Sequence, residues 1–265
     1  MTSNRIDAAF RDLKRRKEKA LIAYLTAGYP TAGMLPALVK ACEEAGVDLV
    51  ELGVPFSDPL ADGPTIQAAS EKALANGVSL AGILRQVKGL RRRGMELPLA
   101  LMTYINPVLH YGVARFCRDC RSAGVDGVIV PDLPPEEAGE MIRSARRMAL
   151  DTIFLAAPTS PRERLARLAK SSTGFLYYVS LTGVTGARKK LSPKIGADVR
   201  KIRRLTGLPV CVGFGISTPA QVRQVARAAD GAIVGSALIR LIGRAGQRAP
   251  KAVYHFLRGL KRACA

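Results

Sequence analysis

The chain has 265 residues, with 41 Lys+Arg against 21 Asp+Glu and a formal net charge of +20. Hydrophobic residues make up 48% of it, enough apolar surface to offset chain entropy, which excludes an intrinsically disordered protein. No apolar run approaches the roughly 20 residues of a bilayer crossing, and five cysteines, an odd number, argue against a disulfide framework. The first residues, Met-Thr-Ser-Asn-Arg-Ile-Asp, resemble neither a secretory signal nor a transit peptide, so a reducing cytoplasm is expected.

The charge is unevenly spread. Residues 1–185 hold 24 Lys+Arg and 19 Asp+Glu, a net of +5, whereas residues 186–265 hold 17 and 2, a net of +15.

In chain order, residues 3–18 have helical spacing with Ile6, Phe10 and Leu13 on one face. Eight short apolar runs follow: Ala20–Thr26, Asp48–Gly53, Leu97–Tyr104, Gly127–Val130, Thr152–Ala156, Phe175–Ser180, Val210–Gly213 and Gly231–Gly235. Runs of this kind suit strands covered on both faces. The segments between them have helical spacing, for example Leu35, Leu38, Val39 and Cys42. Helix starts are expected at Thr31 before 34–45, at Pro161, and at Ser217 before 218–229. The stretches Ala45-Gly46-Val47-Asp48, Ala123-Gly124-Val125-Asp126 and Ala228-Ala229-Asp230 form a weak repeat in which a helix ends, a polar residue turns and a strand begins.

Eight βα units in about 250 residues predict a (β/α)8 TIM barrel of the α/β class. It is expected to be a single domain, 1–265, with an N-terminal helix at 3–18 and the barrel over 19–265. The competing open doubly wound sheet usually carries a Gly-rich dinucleotide fingerprint after its first strand; here Thr26-Ala27-Gly28-Tyr29-Pro30 stands there instead.

A barrel places its chemistry at the C-terminal ends of its strands. Glu51 sits in an otherwise apolar strand, where a carboxylate is costly unless paired or used. It is either the partner of a cation such as Lys19 or, desolvated with a raised pKa, a proton donor. Asp58 and Asp62 follow among prolines and glycines, as turn residues or as further chemistry. The seventh and eighth strands end in Gly213-Phe214-Gly215 and Gly235-Ser236, glycine-rich turns at the two positions where barrels bind phosphate. The stretch Ser180–Lys190 has the length and composition of a lid. Cys117-x-x-Cys120 lacks a second pair or a nearby His to make a zinc set, neither His110 nor His255 belongs to a nucleophile motif, and no phosphate-binding P-loop motif occurs.

The run Leu49-Val50-Glu51-Leu52-Gly53-Val54-Pro55-Phe56-Ser57-Asp58-Pro59-Leu60-Ala61-Asp62-Gly63 resembles the signature of the tryptophan synthase alpha chain family. The resemblance extends over nearly the whole chain, through Tyr24–Pro30, Met102–Pro107, Val130–Pro134, Ala157–Ser160, Gly183–Gly186 and Gly213–Ile216. It implies retro-aldol cleavage of indole-3-glycerol phosphate to indole and glyceraldehyde 3-phosphate. Glu51 would be the acid/base and Asp62 the carboxylate facing the indole N–H. By the same resemblance Tyr177 lies near the substrate, and Gly213, Phe214, Gly215, Gly235 and Ser236 form the phosphate turns. Gly186 ends the lid, and Tyr24, Ile66 and Met102 surround the ring. No cofactor is implied in this chain; pyridoxal phosphate belongs to a partner beta chain. That chain would be met through Pro55–Pro59 and Asn106-Pro107 in an alpha2beta2 heterotetramer. Two alternatives remain: a stand-alone indole-3-glycerol-phosphate lyase, and a basic barrel whose main role is binding nucleic acid. The second is disfavoured by 5% aromatics and no Trp.

Overall fold

The structure is a computed structural model that describes residues 4–179, 195–213 and 215–264. In chain order it runs α1 (Arg5–Arg16), β1 (Ala20–Thr26), α2 (Leu35–Glu44), β2 (Leu49–Gly53), α3 (Pro64–Ala75), α4 (Leu80–Arg92), β3 (Leu99–Met102), α5 (Ile105–Tyr111), α6 (Val113–Ala123), β4 (Gly127–Ile129) and α7 (Gly139–Arg147). It continues with β5 (Asp151–Ile153), β6 (Leu155–Ala156), α8 (Arg162–Ser171), β7 (Leu176–Val179), α9 (Ile195–Arg203), β8 (Val210–Gly213), α10 (Pro219–Ala226), β9 (Gly231–Val234), α11 (Ser236–Ala245) and α12 (Ala249–Lys261). All recorded strand pairings are parallel, in the order β5-β4-β3-β2-β1-β9-β8-β7-β6.

The two ends of that ladder are halves of one expected strand. Over 152–156 the chain pairs with β4 through Val128↔Thr152 and Ile129↔Ile153, passes Phe154, and then pairs with β7 through Leu155↔Tyr177. The barrel thus closes through the backbone at Phe154, and the expected eight strands become nine segments. The third strand is shorter than its apolar run: Pro98 has no N–H to give a ladder, and Thr103-Tyr104 already leads into α5. Thr218, not Ser217, caps α10, bonding the Gln221 amide while the Gln221 side chain returns to the Thr218 backbone.

Alternation along the strands sorts side chains into two cores. Leu21, Ala23, Leu25, Val50, Leu52, Leu99 and Leu101 face the helices. Ile22, Leu49, Ala100, Ile129, Ile153, Phe175, Cys211 and Ile233 fill the barrel interior. That inner core is completed at the N-terminal end by Ile6, Phe10 and Leu13, with the Phe10 and Phe175 rings 5.7 Å apart. Asn4 starts α1, accepting from the Ile6 and Asp7 amides at 2.9 and 3.2 Å. The bottom of the barrel interior is therefore plugged, and among the described residues the interior is reached from the C-terminal end.

The weak repeat has a structural use. Asp48, Asp126 and Asp230 each begin a strand and accept the backbone N–H that starts the preceding one: Leu21 at 2.8 Å, Leu99 at 3.0 Å and Val210 at 3.0 Å. Each carboxylate is neutralised by cations, Lys261 on Asp48, Arg91 and Arg5 on Asp126, and Arg203 and Lys19 on Asp230. Part of the basic excess, Arg203 and Lys261 included, thus pins strand starts instead of decorating solvent-facing helices. Lys19 pairs with Asp230, and no ion pair of Glu51 occurs among the described residues, which leaves the second of its two readings. The Cys117–Cys120 pair lies on the buried face of α6, with the Cys117 thiol 3.8 Å from Met141 sulfur.

Candidate active site

β2 carries Glu51 into the barrel, in register with Tyr24 on β1 and Ala100 on β3. The residue is 0% exposed, and neither carboxyl oxygen has a hydrogen-bond partner among the described residues. Burial alone pushes its carboxyl up to about 8, so it is a neutral acid at neutral pH.

Asp62 arrives from the β2–α3 loop and is held from several directions. Tyr104 donates its hydroxyl to Oδ2 at 2.9 Å, while that hydroxyl accepts the Ala61 amide at 3.1 Å. Gln67 donates to the Asp62 carbonyl at 2.9 Å, and Phe56 packs on the Tyr104 ring with centroids 5.4 Å apart. Burial raises the Asp62 carboxyl to about 6, against the lowering effect of the Tyr104 bond. Two carboxyls of one site are therefore poised on opposite sides of neutrality, which is how an acid and a fixed anion coexist.

Tyr24, Asp62, Ile66, Met102, Tyr177, Gly215, Gly235 and Ser236 line a single cavity at the open end, joined by Ile233. Glu51 lies behind this lining, buried next to Tyr24 and close enough in charge to Tyr177 to raise its hydroxyl pKa further. Burial, first of all, keeps the Tyr24 and Tyr177 hydroxyls protonated. Two glycines make room for these rings. A methyl group at Gly53 would collide with Tyr24, and one at Gly213 with the Tyr177 ring and hydroxyl. Gly213 thus acts by yielding space to Tyr177 and is not itself part of the cavity lining. Gly186, Phe214 and the expected lid at 180–190 lie outside the described residues.

The helices after the last two barrel strands differ at their N-termini. α10 is closed by its own Thr218/Gln221 box. α11 starts at Ser236 after Gly235 with no side-chain cap, and among the described residues the Ser236 and Ala237 amides have no backbone acceptor, so they can meet an anion at the cavity edge. A larger cavity of about 540 Å³ opens at the opposite end, beside Lys14, Lys19, Arg203 and Asp230. Its carboxylates, Glu18 and Asp230, are ion-paired, so it offers no poised acid.

Asp58 lies on the outer loop and outside the cavity lining. Tyr104, inside the Met102–Pro107 stretch but given no role there, is the side chain that holds the Asp62 carboxyl. Its signal is modest: it follows Met102 by two residues, where β3 gives way to α5.

Among known proteins, a family model described as tryptophan synthase alpha chain matches residues 10–263. A tryptophan synthase alpha chain of Geotalea daltonii is 53% identical over 89% of both chains. That of a Roseiflexus species is 51% identical over 97% of this chain and 99% of its own. The crystal structure of tryptophan synthase subunit alpha from Legionella pneumophila superposes with a TM-score of 0.92 at 38% identity, covering 99% of each chain. A structure of Mycobacterium tuberculosis tryptophan synthase gives 0.91 at 39% identity, covering 99% of this chain and 98% of that one.

Proposed function

The chain belongs to the tryptophan synthase alpha chain family, and we propose that it cleaves indole-3-glycerol phosphate as a carbon–carbon lyase, with Glu51 and Asp62 carrying the step. The observation that supports this most is Glu51, a fully buried carboxyl with no hydrogen-bond partner among the described residues, behind a cavity edged by a second carboxylate and an uncapped helix start. Cleavage between indole C3 and the side chain needs a proton delivered to C3 and one removed from the adjacent hydroxyl. A neutral carboxyl can give the first and, once ionised, take the second, which leaves indole and an aldehyde with Glu51 protonated again. As the ring becomes cationic its N–H grows more acidic, and the fixed Asp62 carboxylate stabilises that charge. The Gly215 turn and the α11 amides beyond Gly235 and Ser236 receive the phosphate, while Tyr24, Ile66, Met102 and Tyr177 enclose the ring.

Tyr104 is the positioning residue for Asp62. Its hydroxyl is fixed by the Ala61 amide, so its proton points at the carboxylate. Tyr104→Phe is expected to lower kcat for indole release about tenfold to a hundredfold with little change in KM, the size of a lost hydrogen bond to a charged group, about 1.5–3 kcal/mol. The acid limb of the rate profile should move to higher pH, because the bond that lowers the Asp62 pKa is gone. An unshifted limb would leave Tyr104 with packing alone.

No cofactor is proposed for this chain's step; pyridoxal phosphate is assigned to a beta chain, to which the indole passes. Leu60, 74% exposed, and Leu109, 57% exposed, are the exposed large apolar side chains among the described residues. They fall beside Pro55–Pro59 and Asn106-Pro107, which favours a face made for a partner. Mixing with the beta chain should give a heterotetramer by light scattering and faster indole release. A monomer with full activity on its own would instead identify a stand-alone lyase. The direct experiment is an indole assay on indole-3-glycerol phosphate with and without that chain.

A further inference from the structure

Most of the positive charge is not used by the site or by the strand-start aspartates. Its arrangement on α12 is regular. Arg248, Lys251, His255, Arg258 and Arg262, the first and last being the N-cap and C-cap of the helix, recur at alternating steps of three and four residues, which keeps the series close to one line along it. All five are exposed, and from residue 248 to residue 262 the other exposed residue is Gly259. The opposite face is buried through Ala249, Val253, Leu257 and Leu260. At 1.5 Å per residue the line is about 21 Å long. Among the described residues none of its four permanent cations makes an ion pair; Arg258 lies 5.7 Å above the Tyr254 ring centroid. Exposed Arg223 on α10, Arg227 at its C-cap and Arg244 on α11 belong to helices packed against α12. Between Pro219 and Arg262 the single acid is Asp230, already bound by Arg203 and Lys19.

We propose that α12 presents a second binding surface, separate from the substrate cavity, for the phosphate backbone of a nucleic-acid strand. A narrow line of cations matches a linear array of phosphates, and arginine offers the planar fork suited to them. An anionic membrane fits less well, because a helix that lies on a bilayer must bury an apolar face there, and that of α12 is already committed to the barrel. The surface reads no base: it holds a backbone through charge, and its affinity follows counterion release.

The test is fluorescence anisotropy of a labelled 20-nucleotide oligothymidylate with the full-length protein at 50 and 150 mM KCl. Four neutralised phosphates at about 0.7 counterion each give an affinity that falls about 20-fold over that range. In the variant Lys251→Ser/Arg258→Ser/Arg262→Ser the same interval should change affinity only about twofold. The charge-matched variant Arg143→Ser/Arg146→Ser/Arg147→Ser, on the exposed face of α7, should keep the wild-type dependence. Indole release should be unchanged in the α12 variant, which shows that it folds and separates this surface from the cleavage site. Equal losses in both variants would reduce the effect to net charge and overturn the proposal. So would no binding at 50 mM, or an α12-dependent retention on phosphatidylglycerol vesicles without oligonucleotide binding.

Discussion

Glu51→Gln should lower indole release about a thousandfold, within the range that a lost general acid–base group gives. The amide fills the same volume but can neither give a proton to C3 nor take one from the hydroxyl. Loss of fold does not explain such an effect at neutral pH, because there the unfolded chain ionises this carboxyl and the folded one does not, a cost to folding that the amide lacks. With a folded pKa of about 8 against an ordinary 4.5, the group favours the folded state below its unfolded pKa. That contribution is lost as the pH rises through about 8, and amounts to at most about 5 kcal/mol. Urea unfolding midpoints of wild type and variant should therefore separate between pH 5 and pH 9, with the variant gaining at the alkaline end. Near-normal turnover in Glu51→Gln would remove this residue from the chemistry, and a constant gap in midpoint would show that its carboxyl is not desolvated.

Asp62→Asn should cost about a hundredfold to a thousandfold in kcat, the effect of removing a charge aimed at a developing one. Substrate affinity should largely survive, since the phosphate turns and the apolar lining are untouched. The Tyr104 hydroxyl keeps an oxygen acceptor in the variant, so the loop should hold its place. The split between kcat and binding decides the role. Loss of binding with kcat intact would make Asp62 a ground-state contact instead of a stabiliser of the cationic ring.

Much of this arrangement is written locally in the chain, and the exceptions share a cause. Strand positions follow from buried apolar runs, and Glu51 stands out because a carboxylate in such a run is costly. The break at Phe154 is invisible locally: residues 152–156 form one apolar run, and only barrel closure decides that its halves pair with different neighbours. The aspartates of the repeat look like turn residues until the preceding strand is seen beside them, 20 to 27 residues earlier in sequence for the three pairs. Tyr104 is hidden in the same way. An aromatic at a strand exit reads as core, and its value to Asp62 depends on a contact 42 residues away in sequence. The split of the basic excess into strand-start pairs and a line along α12 likewise requires the helices to be placed around the barrel.

In the proposed mechanism Glu51 acts as a neutral acid while Asp62 acts as an anion at the same site. The pH dependence of kcat/KM for indole release from indole-3-glycerol phosphate tests it directly. A bell is expected, rising as Asp62 ionises with an apparent pKa of about 6 and falling as Glu51 deprotonates at about 8. A rate that continues to climb through pH 9, or a bell unchanged in Tyr104→Phe and Asp62→Asn, would contradict the assignment.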